Sequence, residues 1–66
     1  MLQQNNASPL VESRKKEIFQ ALVASQDQGT SVAQSRVQMA EQFKVSESLV
    51  KSIEREGIDN NWPPLS

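Results

Sequence analysis

A chain of 66 residues with a formal net charge of −1 and a pI near 5.2 has room for one small domain. It lacks the basic excess from which a strong nonspecific nucleic-acid binder draws its affinity. There is no cysteine and no histidine, which removes disulfides and thiolate or imidazole zinc sites, and with them the commonest general base and the Ser-His and Cys-His nucleophile pairs.

Any catalysis would have to rest on carboxylates and lysines, and no set of these assembles into a site, so the expectation is a non-enzyme that needs neither metal nor cofactor. No apolar run is long enough to cross a bilayer, and the first residues, MLQQNNASP, lack a basic start and an apolar core. A cytoplasmic protein with no membrane partner is expected.

Residues 1–7, rich in Gln and Asn, have no apolar period and read as a mobile tail. Ser8-Pro9 has the form of an N-cap followed by proline at the first helical position, where its missing N–H costs nothing; Ser13 is an alternative start. From there to about Gln26 the spacing predicts a first helix whose stripe is Val11, Ile18, Phe19, Leu22 and Val23. Gly29 suits the left-handed position that ends it.

Thr30 or Ser31 can cap a second helix, and Ser31 with Gln34 three residues on has the spacing of a capping box. Ser35 with Gln38 repeats that spacing. The earlier start, at Val32, is preferred because Ala33, Val37 and Ala40 then continue an apolar row while the Ser35 hydroxyl points to solvent. A third helix is expected from about Glu47 to Glu56, with Ser46 as its N-cap, Gly57 as its terminator and Ile58 folding back onto the core. The two prolines of Asn61-Trp62-Pro63-Pro64 favour an extended polyproline II path.

The expected organisation is therefore an all-α, three-helix domain over 8–58, followed at 59–66 by an extended Trp-Pro-Pro strap or linker. Its core would be drawn from Ile18, Phe19, Leu22, Val23, Val37, Met39, Ala40, Phe43, Val45, Leu49, Val50 and Ile53, with the Trp62 indole as a cap.

From Arg36 to Arg55 the apolar positions Met39, Ala40 and Phe43 form a helical stripe, Val45 and Ser46 interrupt it, and Leu49, Val50 and Ile53 resume it. The set Met39, Ala40, Phe43, Val45, Val50 and Ile53 is similar to the helix-turn-helix of bacterial and phage DNA-binding proteins, a resemblance that covers about a third of the chain. Lys44 departs from the pattern. It stands where that family usually has a glycine able to take positive φ, so the turn is expected to be strained or differently shaped.

The resemblance implies that the third helix lies in the major groove of double-stranded DNA, in a transcriptional regulator or a mobile-element or phage protein. Ser46, Glu47, Ser48, Lys51, Ser52 and Arg55 match the positions from which the family reads base edges. Arg36 and Lys44, with the run Arg14, Lys15 and Lys16, are the candidates for phosphate contacts. Charge between Ser35 and Gly57 is balanced, Arg36, Lys44, Lys51 and Arg55 against Glu41, Glu47, Glu54 and Glu56. Useful affinity would then require two copies on adjacent half-sites or attachment to a larger assembly.

Two other readings stand beside this one. The outer face of the third helix is also what an ordinary solvated helix looks like, and Arg14 to Lys16 what the wet side of the first would be. A protein-interaction module could keep the fold and dock a partner through its acidic surface and the Trp-Pro-Pro segment.

Overall fold

The computed structural model describes residues 11–65, so the tail expected over 1–7 and the start expected at Ser8-Pro9 lie outside the described residues. Three helices pack mutually, α1 (Glu12–Asp27), α2 (Val32–Phe43) and α3 (Glu47–Asp59), with no strand among the described residues. Ile18, Phe19, Leu22, Met39, Val50, Ile53 and Trp62 form the buried core. Ala21, Val23, Ala40, Phe43, Val45 and Leu49 pack half-buried around it.

α1 starts after an extended Val11, which has no side-chain cap, and Glu12 sits in its first turn at the positive end of the helix dipole. Ile18, Phe19 and Leu22 turn inward at i, i+1 and i+4. Val11 does not join them: it is 68% exposed, because it precedes the helix and is not carried round onto the core face.

α2 is capped by Ser31, whose Oγ accepts from the Gln34 N–H at 3.1 Å. Val32 is thus the start, as the spacing suggests, but the rotation of the helix is different from the expected one. Ser35 and Met39, four apart, are its buried residues, whereas Ala33 is exposed and Val37 is 39% exposed. Val37 lies two positions from each of the buried pair, which on a helix is the far side.

Ser35, expected to face water, is fully buried. Its hydroxyl donates to the Val32 carbonyl at 2.7 Å and accepts from Gln26 Nε2 at 3.0 Å, so the polar group enters the interior with both bonding roles filled.

All three helices end in the same way, on one residue with positive φ whose successor donates back five residues. At α1 the residue is Gly29 (φ +103°), with Thr30 N–H donating to the Ser25 carbonyl. At α2 it is Lys44 (φ 59°, ψ 48°), with Val45 N–H donating to Ala40. At α3 it is Asn61 (φ 53°), with Trp62 N–H donating to Gly57. These bonds satisfy the carbonyls that a helix end leaves open. Lysine therefore adopts the conformation expected of a glycine, and the turn of Lys44, Val45 and Ser46 is strained in the sense the sequence suggests, at a steric cost of about 1–2 kcal/mol.

Gly57 is not the terminator of α3, which continues to Asp59. It is buried inside the helix, and a Cβ there would lie far inside van der Waals contact with Phe19 Cδ1. Absence of a side chain is what lets α3 lie directly against α1. Ile58 consequently stays on the helix, 56% exposed, and does not fold back onto the core.

Beyond the helix Trp62 is buried as the expected cap, 6% exposed, with its ring edge-on to Phe19 at a centroid distance of 6.0 Å. Residues 62–65 then make a turn closed by Leu65 N–H to the Trp62 carbonyl, with a cis Pro63–Pro64 peptide, in place of the polyproline II path the two prolines favour.

Candidate nucleic-acid interface

The orientation of α3 is fixed from within. Val50, Ile53 and Gly57, at i, i+3 and i+7, face the core, so the opposite side of the helix faces solvent. Ser48, Lys51, Ser52 and Arg55 lie on that side and are exposed, as is Glu47 at the first position. Ser46 is the N-cap: its Oγ accepts from the Leu49 N–H at 3.1 Å, which uses one of its two lone pairs and leaves its O–H proton available. Lys51, Ser52 and Arg55 share a shallow depression with Glu56, Asp59 and Asn60.

A polar network locks this rotation. Glu54, on the flank of α3, has only 14% of its side chain exposed and receives the Arg36 guanidinium, Nε at 2.9 Å and Nη2 at 2.8 Å from Oε1. Its second oxygen accepts from Gln26 Nε2 at 3.2 Å, and the same amide nitrogen reaches the Ser35 hydroxyl. One residue of α1, two of α2 and one of α3 thus meet in a single connected group. The spacing of apolar residues does not reveal this network, because Gln26 and Ser35 carry no hydrophobic signal; a serine inside a helix with a glutamine near the end of the preceding one is the only trace of it.

The cations divide into two classes. Arg36, expected at a phosphate, is held by Glu54. Lys15 bridges α1 to α3 through Glu56, Nζ lying 3.0 Å from Oε1. Arg14 pairs with Glu17 and lies 4.9 Å over the Phe43 ring; Lys16 pairs with Glu12 and lies 5.8 Å over Trp62. The run Arg14 to Lys16 is therefore engaged within the fold, in contacts that are weak singly because they are largely exposed. Lys44, Lys51 and Arg55 have no carboxylate within ion-pair distance among the described residues.

The structure brings Glu47, Ser48, Lys51, Ser52 and Arg55 onto one continuous surface, with Lys44 exposed in the turn before it. It does not bring Arg14, Lys15, Lys16 or Arg36 there as free charges. Among the described residues no helix is long and apolar enough to cross a membrane, and no cluster of three or more acidic side chains is placed to hold a metal ion. The chain matches no protein-family model, no curated protein and no solved structure.

Proposed function

We propose that the protein binds double-stranded DNA in a sequence-specific manner, with α3 in the major groove and Glu47, Ser48, Lys51, Ser52 and Arg55 toward the base edges. The observation that carries this reading is the unequal use of charge: four of seven cations are paired within the fold, while Lys51 and Arg55 project together from the helix that follows a three-residue turn. A groove-reading helix must offer donors that are not already satisfied, and it must be held in one rotation; the Glu54 network and the Gly57–Phe19 contact do the holding.

Lys44, exposed in the turn before Ser46, would meet a phosphate near the N-terminus of α3, and the Ser46 O–H could add a second contact to backbone or base. With so few free cations, a single copy binds with modest affinity. The slope of log K against log salt is expected to be shallow, about −1 for the phosphate met by Lys44 and no steeper than about −3 if Lys51 and Arg55 also displace counterions. Two copies on adjacent half-sites, or a larger assembly, would raise the affinity to a useful level. Transcriptional regulation by a nucleoid-associated protein is the role that fits such a domain.

A second reading, docking to a protein, is favoured by one observation: α2 leaves Val32 47% and Val37 39% exposed, and Leu65 is 47% exposed beyond Trp62. Titration of a mixed duplex pool at low and moderate salt separates the two. Retention of particular sequences, weakened by salt, supports DNA reading; no retention even at low salt favours the protein partner.

A further inference from the structure

Resting on the DNA-binding reading, we infer that the half-site is read through G·C base pairs, with cytosine contacted from the N-terminal turn of α3 and guanine from the next two.

α3 offers DNA a restricted set of side chains. Bidentate recognition of adenine requires an asparagine or glutamine, and recognition of thymine an apolar group against its methyl. From Glu47 to Asp59 the sequence ESLVKSIEREGID contains neither asparagine nor glutamine. Leu49, Val50 and Ile53 are turned toward the core, Val50 and Ile53 with no exposure at all. Ile58, the exposed apolar side chain of α3, lies a turn beyond Arg55 at the C-terminal end of the helix, farther than Glu47, Lys51 or Arg55 from the N-terminal part that approaches base edges.

What remains has a definite chemical sense. Arg55 can donate two bonds to guanine O6 and N7, Lys51 can donate to the same acceptors, and Glu47 can accept from cytosine N4. Ser48 and Ser52 can bond any base and so select none. Glu47, Lys51 and Arg55 occupy successive turns, i, i+4 and i+8, each step rising roughly 6 Å along the helix. That distance is about two base steps along a strand at 3.4 Å per nucleotide. The three side chains therefore address different base pairs, and none of the three is tied up by another charged group of the described fold.

The test is selection of bound duplexes from a random-core pool at low salt with the 66-residue chain, followed by sequencing of the retained duplexes. The expected result is G·C enrichment at two or more positions about two steps apart. Replacing one such pair by A·T should weaken binding by roughly 5- to 150-fold. Arg55→Gln should move the preference from guanine to adenine at one position and leave the others unchanged, with helicity by circular dichroism equal to that of the parent. Retained duplexes that are A·T-rich or without base preference overturn the inference and leave DNA binding standing. So does a guanine preference that survives both Arg55→Gln and Lys51→Gln. Retention of no duplex at low salt overturns the DNA-binding reading together with the inference.

Discussion

The two sides of α3 are made from the same thirteen residues and follow opposite rules. On the inner side every group has a partner: Val50 and Ile53 lie in the apolar core, Gly57 lies against Phe19, and Glu54 on the flank holds both Arg36 and Gln26. On the outer side Lys51 and Arg55 have no ion pair among the described residues. The contrast matters because α1 carries a denser run of positive charge, Arg14 to Lys16, and all of it is engaged within the fold. Density of charge along a sequence is thus a poor guide to what is available to a ligand; the better guide is which cations the fold leaves without a carboxylate.

Substitutions should respect this division, inner ones changing stability and outer ones changing binding alone. Ile53→Ala removes a fully buried side chain and should cost about 2–5 kcal/mol, a large share of the stability of so small a domain. Urea denaturation followed by circular dichroism measures it, and a loss below about 1 kcal/mol would mean that the inner side is loosely packed.

Gly57→Ala is more diagnostic, because its sign is in question. In an ordinary helix interior the change stabilises by up to about 1 kcal/mol. Here the added methyl meets a Phe19 ring that is itself 1% exposed and packed against Trp62, so a net loss of about 1–3 kcal/mol is expected. A stabilised variant would show that α1 and α3 are not in direct contact at that point.

On the outer side, Arg55→Ala should weaken binding to a selected duplex by about 1–3 kcal/mol and leave the urea midpoint unchanged. The smallest effect belongs to Lys15→Ala. Loss of its half-exposed bridge to Glu56 should cost about 0.2–1 kcal/mol of stability and leave duplex binding as it was. Comparable losses of binding in Lys15→Ala and Arg55→Ala would erase the distinction between the two groups of cations.

Much of this arrangement is legible in the residues. The three helices, the Ser31 and Ser46 caps, the Gly29 stop and the inward turn of Val50 and Ile53 all follow from spacing and local chemistry. What was not legible depends on contacts between helices. Val37 is the more hydrophobic candidate for the inner side of α2, yet Ser35 is buried in its place, since Gln26 supplies a donor and Val32 an acceptor that a serine needs to leave water. Gly57 resembles a helix stop because glycine commonly is one. Its actual role depends on a phenylalanine 38 positions earlier in the chain, which no local pattern contains. The stop at Lys44 falls where the spacing calls for a positive φ, whereas the stop at Asn61 has no such mark, Gly57 being the residue that looks like the terminator.

The most direct test of the account is a fluorescence titration of one selected duplex with three proteins: the parent chain, the double variant Lys51→Gln/Arg55→Gln, and Lys15→Gln. The account predicts that the double variant loses about 2 kcal/mol or more of binding free energy with no change in thermal midpoint, while Lys15→Gln binds as the parent does. Superimposable curves for the parent and the double variant would contradict it.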